Sequence, residues 1–348
     1  MGHQHHNTRQ QKKTLSPSNQ YPDHGMKAFQ FHTIAKGLEL KDVPIPKPGK
    51  DQLLVQVKAA GLCHTGCNVI SGKDDMLFWQ RPITLGHEIA GIVIELGPGV
   101  TEFMTGERVT CVTGVTHPIT IHDVTTSAGI GYDGGYAEYV LFNTVKTLRI
   151  PDGVSFAQAA AATDALATAY HALSEARVAP NQKVGIIGLG GLGLSAVGIA
   201  TFLGAKVYGV DIHTKTYMYA LQSGATLCAT SIAKFAGVQF DSVIDFAGVG
   251  VTTAAAAKAV KPGGRVILVG LGVKECKLST YDFVALGVTL KGSAGASKKE
   301  VEEVLQLVAE RKLSPILEEI AFKDIKKGLD RLEEGTALGR LYADPSQA

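Results

Sequence analysis

The sequence predicts an α/β protein with two parts, a β-rich N-terminal half followed by a doubly wound parallel sheet. Three observations predict it. Apolar residues before Arg149 come in short β-rich runs separated by Gly and Pro. From Phe156 onward, apolar strand-like runs alternate with helical stretches, the pattern of a parallel sheet covered on both faces. A glycine-rich turn, Gly188-Leu189-Gly190-Gly191-Leu192-Gly193, stands between such a run and an apolar helix. The 348 residues leave room for one large or two ordinary domains, and 45% hydrophobic against 19% charged residues excludes a largely disordered chain.

Taken in order, residues 1–25 are polar, hold four of the eleven histidines and lack the apolar stretch of a secretory signal. They read as a disordered extension or leader. Leu53–Val57, Ile89–Leu96 and Arg108–Val112 are strand-like. The pattern changes at Ile150-Pro151-Asp152-Gly153, after which Ser155 and Gln158 have the spacing of a capping box opening an Ala-rich helix over Phe156–Ala176. Strands are then expected at Val184–Ile187, Lys206–Asp211, Phe240–Phe246, Arg265–Val269 and Val288–Lys291. Two amphipathic helices, around Lys298–Arg311 and Phe322–Glu333, precede a short strand near Arg340–Ala343.

Charge and cysteine content narrow the partners. Lys and Arg number 34 and Asp and Glu 32, and beyond residue 25 the two signs balance, so neither nucleic acid nor an anionic membrane is suggested. Cys63, Cys67, Cys111, Cys228 and Cys276 are too few and scattered for a disulfide framework. With no apolar run long enough to span a bilayer, a cytoplasmic protein is expected.

The glycine turn carries the first chemistry. Gly188 allows a tight turn, Gly190 lets backbone approach a pyrophosphate, Gly193 permits close helix–strand packing, and the helix N-terminus supplies N–H donors. Asp211, at the end of the next strand and 23 residues after Gly188, is placed to accept the ribose hydroxyls. Its charge repels a 2′-phosphate, so the expected cofactor is NAD(H). Lys215 either reaches the adenosine ribose or is a solvated surface lysine.

Cys63, His87 and Asp164 form the second set. Cys63 follows a strand and His87 precedes one, whereas Asp164 lies inside the Ala-rich helix with Ala160, Ala161, Ala167 and Thr168 around it and no local cation. A buried ionised carboxylate is costly unless neutralised. Thiolate, imidazole and carboxylate together suit Zn²⁺, with a fourth position left open for catalysis. Singly, each has an ordinary alternative as a buried thiol, a turn histidine or an exposed helix residue, and spacing does not establish that they meet.

The ordered set Gly61-Leu62-Cys63-His64-Thr65, Gly86-His87-Glu88, Gly131-Tyr132-Asp133-Gly134-Gly135-Tyr136-Ala137-Glu138-Tyr139, Thr163-Asp164-Ala165 with Tyr170-His171-Ala172, and the glycine turn resembles the zinc-dependent medium-chain alcohol dehydrogenases. The resemblance runs from about Met26 to Pro345. It implies a GroES-like catalytic domain over 26–155, a Rossmann NAD-binding domain over 156–293, and a segment 294–348 returning to the first domain. It implies one catalytic Zn²⁺ held by Cys63, His87 and Asp164, with Glu88 a carboxylate able to approach it, and Thr65 the hydroxyl that accepts the substrate proton. Thr168 and Leu192 would back the nicotinamide, Val269 and Gly270 would line its carboxamide side, and Gly188, Gly190, Gly191, Gly193, Asp211 and Lys215 would hold the rest of the cofactor. A homodimer or homotetramer acting on a small alcohol or carbonyl is implied.

Four departures stand out. Between Val109 and Asp133 only Cys111 remains of a cysteine-rich lobe, so a single zinc is expected. Gly66 replaces a usual Asp; Asn68 stands where many members have a proton-relaying His; Thr216 replaces a lysine. Asn68 and Gly66 motivate a rival reading, NAD(P)H-dependent reduction of a conjugated C=C or iminium bond, and a third is a dinucleotide-binding protein without turnover. Leu77, Phe78, Trp79 and Thr113 would wall an apolar substrate pocket, or else serve as core or interface residues.

Overall fold

The computed structural model describes residues 25–73 and 80–347. The extension expected over 1–25 (save Gly25) and the pocket residues Leu77, Phe78 and Trp79 lie outside the described residues. The first half contains β1 (Met26–Phe31), β2 (Leu38–Val43), β3 (Gln52–Gly61), α1 (His64–Ile70), β4 (Ile83–Thr84), β5 (Glu88–Leu96), β6 (Arg108–Cys111), α2 (Ile121–Thr125), β7 (Tyr139–Asn143) and β8 (Thr147–Arg149). β1, β2 and β4 make a small antiparallel sheet. β3 is the spine of a larger one, pairing antiparallel with β5 and β7, while β6 and β8 extend the β5 side. Its register sets Gly61 opposite Glu88. That pairing brings the chain just after β3, where Cys63 lies, beside the chain just before β5, where His87 lies.

The second half runs through α3 (Phe156–Ala161), a π-helical turn at Ala162–Leu166, α4 (Ala167–Glu175), β9 (Lys183–Ile187), α5 (Gly191–Phe202), β10 (Lys206–Val210), α6 (Tyr217–Gln222), β11 (Ala225–Ala229), β12 (Phe240–Asp245), α7 (Val251–Ala259), β13 (Val260–Leu268), α8 (Thr280–Leu286) and β14 (Thr289–Gly292). The six strands form one parallel sheet in the order β11-β10-β9-β12-β13-β14. Strand order reverses about β9, so the crevice that binds ligands in such sheets opens at its C-terminal end, where the glycine turn begins. From β9 onward, two strands were not anticipated from the sequence, β11 and a later one at Leu317–Ile320. β11 is a largely exposed edge strand with little apolar alternation, and the strand at Leu317–Ile320 is shorter still and half-buried.

The chain ends with α9 (Lys298–Ala309), β15 (Leu317–Ile320), α10 (Ile325–Glu333) and β16 (Arg340–Ala343). β15 and β16 join the β3 sheet, with Tyr342 opposite Gly61 and Ala343 opposite Ala60. Followed two residues further, the antiparallel register carries Arg340 to the level of Cys63. One core cluster includes Ala59 of β3 and Ala90 of β5 with Ala159–Ala162, Leu166 and the buried face of α5. The Ala-rich helix is therefore packed between the two sheets, and small side chains let it approach β3 and β5 closely. Its start is fixed by the capping box, in which Ser155 Oγ accepts from the Gln158 N–H and Gln158 returns the bond to the Ser155 N–H.

The segment around α2 is held by a buried cation. The Lys146 ammonium donates to the carbonyls of Thr113 and Asp123, both at 2.6 Å, and to Ser127 Oγ at 2.9 Å. Those three bonds use all its protons. Asp123 caps α2 by accepting from the Thr120 N–H and hydroxyl.

Candidate active site

Four side chains from three separate stretches converge. One ligand atom each from Cys63, His87, Glu88 and Asp164 lies within 4.8 Å of all the others. Cys63 stands at the N-cap of α1 in extended conformation, without capping the helix by its side chain, so its thiol is free for another use. Glu88 opens β5 with no exposure, and both its carboxylate oxygens lack a hydrogen-bond partner. Asp164 sits in the π-helical turn, a feature that often marks functional sites. Its Oδ2 lies 3.9 Å from His87 Nε2, and its Oδ1 accepts from the Thr168 hydroxyl at 2.9 Å. Thr65 Oγ1 is 3.5 Å from Cys63 Sγ.

Sequence reasoning missed the fifth member. Asp164 has no cation near it in sequence, but Arg340 of β16 reaches it: Nη2 is 3.1 Å from Asp164 Oδ2, Nε 3.3 Å from Glu88 Oε2, and Nη1 donates to the Leu62 carbonyl at 2.9 Å. Asp164, which has no cation near it in sequence, thus has one in the fold besides any metal. The available signal was an arginine heading an otherwise apolar strand, Arg340-Leu341-Tyr342-Ala343.

The donor set still fits a dication. With Cys63, Glu88 and Asp164 ionised, three negative charges face the single positive charge of Arg340. The surroundings of the three acids push them in different directions. Burial, aided by Asp164, pushes the Cys63 thiol up. Burial also pushes Glu88 well above the carboxylate range, although Arg340 opposes it. Burial would raise Asp164 too, but Arg340, His87 and the Thr168 hydrogen bond outweigh it and hold Asp164 below its ordinary value. A thiol, an imidazole and two carboxylates gathered within 4.8 Å of one another, with a single guanidinium against them, match a divalent ion of intermediate softness.

The dinucleotide side adjoins this cluster. Gly188 adopts φ +86°, and a Cβ on Gly193 would lie 1.7 Å from the Gly188 carbonyl oxygen, so both positions require glycine. Gly190 is the N-cap of α5, Gly191 its first residue, and Leu192 is half-buried beside it. A Cβ on Gly191 would lie 3.4 Å from the Arg340 guanidinium carbon, which puts the glycine turn against the metal cluster. Asp211 accepts from the Leu189 N–H at 2.7 Å and the His213 N–H at 2.8 Å. Its carboxylate is thus fixed beside the glycine turn. The N–H groups of Val269 and Gly270 both donate to the Asp245 carbonyl, which sets the loop after β13. Lys215 is exposed in a short 3₁₀ turn, Thr216 next to it is buried, and Thr113 is half-buried.

Residues 49–152 match the alcohol dehydrogenase GroES-like domain, and residues 191–310 match the zinc-binding dehydrogenase domain. An alcohol dehydrogenase of Geobacillus stearothermophilus is 33% identical over 336 residues, covering 91% of this chain and 98% of the relative. The chain belongs to the zinc-dependent medium-chain alcohol dehydrogenases. Among solved structures, acetophenone reductase from Geotrichum candidum, in complex with NAD, superposes on this alcohol dehydrogenase with a TM-score of 0.86 at 31% identity, covering 94% of this chain and 99% of that one. The alcohol dehydrogenase of Aeropyrum pernix does so with a TM-score of 0.83 at 27% identity, over 92% and 100%. An NAD-dependent alcohol dehydrogenase of Sulfurisphaera tokodaii is 29% identical over 92% of this chain and 100% of its own. Among the described residues of this dehydrogenase, no helix is long and apolar enough to cross a membrane.

Proposed function

We propose that the protein is a zinc-dependent oxidoreductase that moves a hydride between NAD(H) and a small alcohol, ketone or aldehyde. The convergence of Cys63, His87, Glu88 and Asp164 carries this reading. Cys63, His87 and Asp164 would hold the zinc, and Glu88, buried and without a hydrogen-bond partner though 3.3 Å from Arg340 Nε, is the carboxylate in reserve beside them. When bound, the metal supplies Lewis acidity at the substrate oxygen. Thr65, whose hydroxyl stands 3.5 Å from Cys63 Sγ, is placed to hold the proton that the substrate hydroxyl exchanges. Asn68 has no titrating group near neutrality, so the onward path to solvent runs through cofactor hydroxyls and water. Asp211 would accept the ribose hydroxyls and disfavour a 2′-phosphate, Thr168 and Leu192 would back the nicotinamide, and Val269 and Gly270 would face its carboxamide.

Metal analysis with a substrate panel tests the proposal. One zinc per chain is expected, with turnover of alcohols and ketones and preference for NADH over its phosphorylated analogue. Absence of metal in chelator-washed, zinc-reloaded protein, or an enal reduced far faster than any ketone, would instead support reduction of a conjugated bond.

A homodimer is supported by the exposed edge strand β14 and by α8, which buries none of its residues. Tyr281 and Val284 on α8, with Leu271 and Val273 before it, are exposed together at that end of the sheet. Sedimentation of the full chain measures this. Five free cysteines support a reducing, cytoplasmic setting.

A further inference from the structure

We infer that Thr168 is a positioning residue for the metal ligand Asp164, selecting which carboxylate oxygen is offered to the ion; the inference rests on the zinc reading above. A threonine in a helix commonly returns its hydroxyl to the backbone carbonyl three or four residues earlier. Thr163 does so, donating to the Ala160 carbonyl at 2.8 Å. Thr168 instead donates to the Asp164 side chain, also four residues earlier, at 2.9 Å. The two residues sit on either side of the junction between the π-helical turn and α4.

The two oxygens of Asp164 are thereby made unequal. Each accepts one hydrogen bond, Oδ1 from the Thr168 hydroxyl at 2.9 Å and Oδ2 from Arg340 Nη2 at 3.1 Å, but Oδ2 is the one that lies 3.9 Å from His87 Nε2 within the cluster. A carboxylate held in this way is fixed in rotation, with Oδ1 turned to Thr168 and Oδ2, which has a second lone pair left, turned toward the other donors of the cluster. Thr168 is 4% exposed, so water does not readily replace it as donor. Aspartate reaches further than a thiol and rotates about one more bond, and a neighbouring donor removes that freedom. Outer hydrogen bonds of this kind are commonly worth about 10–100-fold in metal affinity.

The test uses the full-length protein stripped by chelator, with Co²⁺ alone as the probe and no nicotinamide present, so that any contact of Thr168 with cofactor is silent. Thr168→Val keeps shape and removes the donor; Thr168→Ser keeps the donor. The Val variant is expected to bind Co²⁺ about 10–100-fold more weakly in competition with a chelator, with a shifted ligand-field absorption band, and the Ser variant to restore both. Thermal unfolding of the stripped proteins verifies the fold, and Thr168→Ala replaces Val if Val does not fold. Wild-type affinity and band in the Val variant, or failure of Ser to restore them, overturns the positioning role. Wild-type protein that takes up no Co²⁺ overturns the zinc reading itself, a distinct outcome.

Discussion

Replacing Lys146 by Met should destabilise the catalytic domain by about 2–4 kcal/mol, because the ammonium is the clamp of the segment around α2. Met retains much of the apolar stem, so the cavity left is small and the loss is polar. The ammonium satisfies the Thr113 and Asp123 carbonyls and Ser127 Oγ. Ser127 Oγ is also within reach of both carbonyls, at 2.9 and 2.5 Å, but it has one proton and can serve one of them. The substitution therefore leaves a buried carbonyl short of a donor, at roughly 1–3 kcal/mol, and removes charge-assisted bonds worth roughly 1.5–3 kcal/mol each. Relief of burying the ammonium offsets part of this, since burial holds the Lys146 pKa below its ordinary value. Urea unfolding followed by a probe in the catalytic domain should show a lower midpoint with unchanged slope. A midpoint shift equivalent to less than about 0.5 kcal/mol, the usual scatter of surface substitutions, would refute the clamp.

Thr65→Val should keep fold and metal while slowing alcohol oxidation by at least about 10²-fold in kcat, the scale of lost acid–base assistance; an unchanged rate on a secondary alcohol would remove Thr65 from the proton path. Asp123 gives an acid dependence. Burial would raise its pKa, but bonds from the Thr120 hydroxyl and N–H win and hold it below the ordinary value. A depressed folded pKa gives stability that is present above the unfolded pKa, near about 3.9, and is lost as pH falls through the lower folded value. Asp123→Asn should flatten that part of the unfolding profile below about pH 4, leaving the neutral-pH kinetics in place; circular dichroism across an acid titration reads it, and an undiminished acid slope would count against the cap.

What could be seen in the sequence was what is local. The glycine turn, Asp211 and the Ser155–Gln158 cap each depend on a few neighbouring residues, so their spacing alone carries the physics. The meeting of Cys63, His87 and Asp164 does not. It follows from the Gly61–Glu88 register in one sheet and from packing of the Ala-rich helix against β3 and β5, and resemblance to a family had to stand in for that information. The π-helical turn has no residue pattern of its own, so the direction in which Asp164 points was invisible. β11 and β15 lack apolar alternation and were missed for the same reason that they are edge strands.

Arg340 shows why charge is harder to place than fold. From the sequence, Asp164 is a lone carboxylate on an alanine face; in the structure, an arginine 176 positions later is its nearest cation. The arginine does not complete the site, because one positive charge cannot balance Cys63, Glu88 and Asp164 together. It holds Asp164 ionised while Glu88 and the Cys63 thiol remain pushed toward their protonated forms. A thiol must lose its proton to bind a metal, so with Cys63 pushed up by burial the affinity for metal should rise with pH. The same guanidinium fills the space that a side chain on Gly191 would take, so whatever changes its position beside Asp164 also changes the charge presented to the cofactor's side of the cleft.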